Sequence, residues 1–401
     1  MLELSPIIKS LWRNKTGPLL IIIQLALTIA AISNAMFVVS ERMAKIDRPS
    51  GIAEQEIFTL WMRQSSPGID LQAVIERDMT IIRSTPGVID ATPISSLPFS
   101  GSGSSAGMRK ELAERAIIYQ AANYEISKHG LNSLGLNLIE GRNFYDDEVI
   151  FFERDNAPQN SVVIISQHLA QEIFPDESAV GKTLYKGAMP LTVVGIVEQM
   201  VSPWSDSDRF NHAIFVPTIV KEGSINYLVR TGKDDRYFIM NSLIEKLRAL
   251  DNTRLVVDEN TMEKIKGKSY ADDYAMIKIL MVVIAMLILV NALGIFGLTT
   301  FWVNQRRKQI GIRRALGSTK AGIMRYFMLE NLVLVIVAAL LGTVLVYLNS
   351  SYMVRTYGAS LLPWYYIPVT TLFILIVTLA AAFSPVRRAS LISPVEAVAN
   401  V

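Results

Sequence analysis

Residues Ile277–Val303 read IKILMVVIAMLILVNALGIFGLTTFWV, and the segment immediately after them, Asn304–Arg314, reads NQRRKQIGIRR. The first stretch has one charge, Lys278, close to its start, and as a helix it is long enough to cross a hydrocarbon layer of roughly 30 Å. Three more segments share this texture: 19–39, 327–348 and 361–383. None of the four carries a charge near mid-span, which disfavours a proton- or sodium-coupled carrier, whose pathway would need one. The first run continues through Asn34-Ala35-Met36 into Phe37-Val38-Val39 without a small-residue cleavage site, so it reads as a span and not as a signal peptide. The expected fold is therefore an α-helical membrane protein with four transmembrane helices. A large mixed α/β extracytoplasmic domain lies between helices 1 and 2.

Orientation follows from the basic residues. Arg306, Arg307, Lys308, Arg313, Arg314, Lys320 and Arg325 crowd the loop between spans two and three, whereas the loop between spans three and four has Arg355. This predicts that residues 304–326 and both termini are cytoplasmic, with Arg387 and Arg388 after span four in agreement. The flanks of span one are ambiguous, with Lys9, Arg13 and Lys15 before it and Arg42, Lys45 and Arg48 after it. Residues 1–18 place Leu4, Ile7, Ile8, Leu11 and Trp12 at helical spacing, as expected of an interfacial amphipathic helix. Residues 384–401 form the C-terminal tail.

Residues 40–276 suffice for an independent core, in one or two lobes. Leu71–Arg83 reads as a helix capped by Asp70, and Tyr237–Leu250 as another. Val162–Ile165, Leu191–Val197 and Ala213–Pro217 read as strands, the last ended by its proline. Asn260-Thr261-Met262-Glu263 has capping-box spacing and opens a helix expected to run into span two, with a break at Gly267. Ser40–Ile46 extends span one outward, and the two extensions would form a stalk. Ser95–Gly107 is a flexible loop by composition.

Chemistry is sparse. The chain has no cysteine, and a net charge of +3 gives no reason to expect nucleic acid as a partner. Gly181-Lys182-Thr183 lacks the upstream glycine of a phosphate-binding loop, since Asp176 stands there; a turn into a strand is expected. His129, His168 and His212 are widely spaced, and Asp146-Asp147-Glu148 reads as a solvated loop. No catalytic, cofactor or metal residue is predicted, and the chain is expected not to be an enzyme.

Gln305-Arg306-Arg307-Lys308-Gln309-Ile310-Gly311-Ile312-Arg313-Arg314-Ala315-Leu316-Gly317 resembles the signature of MacB/FtsX-type ABC transporter permeases. Pro385-Val386-Arg387-Arg388-Ala389-Ser390 with Ser393–Ala397 is similar to the family's closing motif. In the inserted segment, Val163–Ala170, Phe174-Pro175-Asp176, Val180-Gly181-Lys182, Val194–Val197 and Glu140–Phe144 resemble the MacB-type periplasmic core. The resemblance implies an inner-membrane permease that works without a conduit through the bilayer, docked through Gln309, Ile310, Gly311, Ile312, Arg313, Arg314, Ala315, Leu316 and Gly317 to an ABC ATPase that binds ATP and Mg. This chain begins almost directly with span one, so the ATPase is expected on a separate polypeptide. A second permease copy or a non-identical homologous permease, a periplasmic adaptor of membrane-fusion type and an outer-membrane channel are the other partners implied. Export of a peptide, antibiotic or other amphiphile by mechanical transmission is the leading expectation. Signalling to cell-wall hydrolases and lipoprotein extraction are the alternatives. Gln305 and Gln309 depart from the family's usual glutamates, which makes the loop more basic.

Overall fold

A computed structural model describes residues 16–64, 68–153, 160–251, 254–357 and 360–391. The amphipathic stretch expected before residue 16, and Ser393–Ala397 of the closing motif, lie outside them. The chain divides into two compact units, Met1–Asp47 with Asp273–Val401, and Arg48–Asp272.

The first helix, α1 (Thr16–Ile46), takes in the whole predicted span together with the extension through Ile46. Its buried stripe, Ile21, Leu25, Ile29 and Ile32, follows the helical period.

The second unit follows in the order β1 (Ile57–Arg63), α2 (Leu71–Ser84), β2 (Val88–Ile94), β3 (Ser104–Arg109), β4 (Tyr119–Ile126), α3 (Gly130–Leu134), β5 (Leu138–Gly141), β6 (Ile150–Phe152) and β7 (Val162–Ser166). It continues with α4 (Gln167–Ile173), β8 (Thr183–Lys186), β9 (Met189–Val197), β10 (Ala213–Val220), β11 (Ser224–Thr231), α5 (Arg236–Ala249), β12 (Leu255–Thr261) and α6 (Met262–Ser269). The strands form one twelve-stranded sheet in the order β12-β1-β11-β2-β4-β3-β8-β9-β7-β10-β6, with β5 on β9. At one end, β1-α2-β2 and β11-α5-β12 give the antiparallel order β12-β1-β11-β2. That is a β-α-β-β-α-β ferredoxin-like arrangement with everything from β3 to β10 inserted between its two middle strands.

Each end of the sheet has its own core. On the ferredoxin-like end, alternate residues Phe58, Leu60 and Met62 of β1 meet Ile75, Met79 and Ile82 of α2 and Leu243 and Leu247 of α5. In the insertion, Val163 and Ile165 of β7, Leu169 and Ile173 of α4, and Leu191 and Val193 of β9 make a second cluster. Helix α2 starts where the sequence places it: the Asp70 carboxylate accepts the amides of Gln72 and Ala73, a cap worth about 1 kcal/mol.

A buried ionic triad ties the ferredoxin-like end together. The Arg254 guanidinium donates to both oxygens of Asp78 on α2, with Nη1 to Oδ1 at 3.1 Å. The Tyr227 hydroxyl of β11 donates to Asp78 Oδ2 at 2.6 Å. Burial, reinforced by the neighbouring carboxylate, pushes the Tyr227 phenol well above its ordinary pKa.

The structure departs from the sequence pattern at several points. Strand β10 runs through Pro217 to Val220: Pro217 is the last residue in register with β4, opposite Ile126, and on the other side it lies between the residues that pair with β7 and those that pair with β6. Thr261, not Asn260, caps α6 and accepts the Lys264 amide, while Asn260 stays in β12 opposite Thr59. Glu263 consequently pairs with Arg236 at 2.7 Å. The helix breaks at Tyr270, and Gly267 lies inside α6. The Ser/Gly-rich stretch is pinned by Phe99, which is buried against Phe210 and Tyr270 at positive φ, and its last residues belong to β3.

The chain returns with α7 (Ala271–Gln305), α8 (Arg307–Ala315), α9 (Lys320–Tyr357) and α10 (Tyr366–Ser390). Helices α1, α7, α9 and α10 are long and apolar enough to cross a membrane. Helix α9 lies close on α1: a Cβ on Gly342 would sit 3.1 Å from the Ala26 carbonyl, the close backbone approach that small residues permit between spans. Gln24 of α1 donates to Asn291 of α7 at 3.1 Å. Arg42 and Lys45 each reach Asp273 at 2.7 Å, so these two basic residues, which made the first flank ambiguous, are held by a carboxylate at the start of α7.

Candidate functional site: the helix between the second and third spans

Helix α7 ends because Arg306 leaves helical geometry (φ −100°, ψ 12°). Its amide still bonds to the Trp302 carbonyl at 3.0 Å, and its own carbonyl accepts the Ile310 amide at 2.9 Å. One non-helical residue therefore joins two helices. Helix α8 is nine residues long, about 13 Å. At its end the Ser318 amide reaches the Arg313 carbonyl at 3.0 Å and the Gly317 amide the Arg314 carbonyl at 3.1 Å. This is a Schellman closure, and it requires the positive φ of 95° that Gly317 adopts. Arg313 and Arg314 in the last turn complement the helix dipole. The Thr319 hydroxyl then accepts the Gly322 amide at 3.1 Å and opens α9.

The segment is thus a helix with two unlike faces. Ile310 and Gly311 are buried, with Ile310 in a cluster that includes Val303, Ile323, Phe327 and Val386. Gln309, Ile312, Arg313 and Leu316 are exposed at i, i+3, i+4 and i+7, one side of a helix. Ile312 is 47% exposed and Leu316 81%. Among the residues expected to dock, then, Ile310 and Gly311 face inward, Arg314 is half-buried, and Gln309, Ile312, Arg313, Ala315, Leu316 and Gly317 face outward. The Arg313 guanidinium lies 4.9 Å from the Tyr326 ring centroid, which holds it against α9.

One element of the site escaped the sequence reading. Arg306 Nη1 donates to both carboxylate oxygens of Glu330 on α9, at 3.0 and 3.1 Å, and Glu330 is 1% exposed. A signal was present: Glu330 is the one acidic residue within the four predicted spans.

Several of the other candidates have structural partners. Lys182 pairs with Glu177 at 2.7 Å beside the turn at Gly181 that leads into β8. Asp146 pairs with Lys128, and Glu148 with Arg142, each at 2.6 Å. Among the described residues no group of three His, Asp or Glu side chains is placed to hold a metal. His129 Nδ1 lies 2.9 Å from Asp90, which also accepts from Asn132 and from the Ala91 amide and so ties α3 to β2.

Two of these groups set a pH dependence. Burial works against ionisation of Asp90, but its hydrogen bonds from His129, Asn132 and Ala91 outweigh it and hold the carboxyl below its ordinary range. Burial lowers the His212 pKa despite Glu172 nearby. Both folded values are depressed, so the unfolded chain binds more protons in both windows and stability falls with falling pH. The loss should begin below about pH 6.5, from His212, and continue below about pH 4, from Asp90. In urea titrations across pH, His212→Gln should remove the first step and leave the second; an unchanged first step would contradict the assignment.

Residues 19–250 match the MacB-like periplasmic core domain, and residues 281–394 match the FtsX-like permease C-terminal domain. The chain belongs to the MacB/FtsX-type ABC transporter permease family. It is a multi-pass membrane protein, and the unit between α1 and α7 is its periplasmic core domain. The permease is 26% identical over 282 residues to the macrolide export ATP-binding/permease protein MacB of Neisseria gonorrhoeae, covering 66% of this chain and 39% of that protein. With MacB of Vibrio parahaemolyticus the figures are 23% over 329 residues, 78% and 48%. With the uncharacterized ABC transporter permease YknZ of Bacillus subtilis they are 23% over 292 residues, 67% and 67%. The aligned stretch thus spans less than half the length of these two MacB relatives. Among solved structures, the periplasmic region of MacB from Actinobacillus actinomycetemcomitans is 20% identical, with a TM-score of 0.36, and covers 56% of this chain and 97% of that one.

Proposed function

We propose that this permease carries no ATPase chemistry of its own and couples ATP hydrolysis on a separate ABC ATPase subunit to conformational change in its periplasmic core. Helix α8 is the docking element. What supports this reading most is the exposed side of α8, where Ile312 and the 81%-exposed Leu316 stand beside Gln309. Basic residues beside a membrane serve orientation and lipid headgroups, but orientation does not call for exposed aliphatic side chains on a capped helix. The basic loop orients α8 and both termini toward the cytoplasm of the inner membrane, where ATP and Mg are bound by the partner.

The output is export of a peptide, antibiotic or other amphiphile, driven from the periplasmic side. A second permease copy or a homologous one, an adaptor of membrane-fusion type and an outer-membrane channel complete the assembly. The similarity to relatives named as macrolide exporters supports export. The test is to purify the tagged permease from its native membrane and measure ATP hydrolysis in the eluate. An ABC ATPase co-eluting with vanadate-sensitive activity supports the proposal, and a permease that elutes without one contradicts it.

A further inference from the structure

The Arg306–Glu330 pair lies outside the exposed docking side and does different work. Arg306 is the one residue between α7 and α8 that is not helical, and so the residue about which α8 would swing. Its side chain is 13% exposed and that of Glu330 1%, and Nη1 is shared between the two carboxylate oxygens. At the other end, α8 is joined to α9 by the turn Leu316–Thr319, which is closed at Gly317. Without the ion pair, α8 would be tied to α9 by that turn, by the apolar seat of Ile310 and by Arg313 over Tyr326. Glu330 lies in the third turn of α9, three residues beyond Phe327 in the same seat.

We propose that Arg306 and Glu330 are positioning residues that lock the α7–α8 corner onto α9, so that a displacement of α8 is delivered to the second and third spans together. Separating two opposite charges in a poorly solvated interior is costly, so the pair stays closed under load where an apolar contact would slide. This proposal rests on the reading of α8 as the docking element, but it makes a claim about the permease alone as well. In its absence, α8 would pivot on Arg306 and its motion would be spent at the corner.

The chain has no cysteine, so spin labels can be placed at Lys308→Cys on α8 and Leu340→Cys on α9 without background. In the full-length permease in lipid nanodiscs, the inter-label distance distribution should be narrow. It should broaden at least about twofold in Glu330→Gln and narrow again in the charge swap Arg306→Glu with Glu330→Arg. In the complex with the ATPase that co-purifies with the parent chain, nucleotide should shift the distance in the parent and in the swap, and the shift should be lost in Glu330→Gln. An unchanged distribution in Glu330→Gln, or an undiminished shift, would overturn the proposal. Should Glu330→Gln fail to fold, the swap decides: a swap that folds with a broad distribution also overturns it. A parent chain that recruits no ATPase contradicts the docking reading, while the measurement on the permease alone still tests the lock.

Discussion

Asp78→Ala is expected to destabilise the periplasmic core domain by about 3–5 kcal/mol, the usual cost of removing one partner from a buried ion pair. Asp78 is fully buried and Arg254 nearly so, and Tyr227 spends its hydroxyl on the same carboxylate. Removing the carboxylate strands a buried guanidinium and a buried phenol, and it uncouples α2 from β11 and from the segment that leads into β12. These elements carry the two βα crossovers of the ferredoxin-like end, so the loss should spread through that whole end of the sheet. In hydrogen exchange on the full-length permease, the β11 amides should open about a hundred- to a few thousandfold more readily. Asp78→Asn, which keeps the shape and part of the hydrogen bonding, should cost less. Equal protection in Asp78→Ala and the parent would mean that the triad is incidental to the fold.

The second large effect is expected from Ile312→Asp combined with Leu316→Asp. Leu316 is largely exposed and Ile312 about half exposed, so the change disturbs the permease's own packing little. Burying a leucine side chain in an interface contributes about 1.5–3 kcal/mol, and a desolvated carboxylate in its place adds a cost of its own. ATPase association should therefore weaken more than about a hundredfold, while the melting of the permease stays unchanged. Ile310→Asp should instead damage the permease itself, because Ile310 is seated among the spans. An Ile312/Leu316 double variant that recruits ATPase at parental strength would remove α8 from the interface.

Much of the architecture was legible because it rests on periodicity and composition. The four spans, the Asp70 cap and the apolar runs of β7 and β9 announce themselves within a few residues. The errors arose where the deciding partner is remote in sequence. Pro217 looked terminal because the relay from β7 to β6 along one side of β10 cannot be read locally. Asn260 looked like a cap until its pairing with Thr59 claimed it for β12. Composition labelled Ser95–Gly107 flexible and overlooked Phe99, whose neighbours Phe210 and Tyr270 are more than a hundred residues away.

The candidate site divides in the same way. Which residues of the segment face inward depends on Val386 of α10 and Phe327 of α9, and so nine consecutive residues read as a single docking surface. Glu330 was legible as the one carboxylate in a predicted span but was passed over, and only the corner at Arg306 shows what it holds. The two glutamines now separate by position. Gln309 stands on the exposed side with Leu316, whereas Gln305 belongs to the last turn of α7.

The most direct test of the docking assignment is site-specific photocrosslinking in membranes, with a photoreactive residue placed in turn at Leu316, at Ile312 and at the buried Ile310. Crosslinks to an ABC ATPase subunit are expected from positions 316 and 312, and crosslinks within the permease from position 310. An ATPase adduct missing at both 312 and 316, or formed equally well from 310, would contradict it.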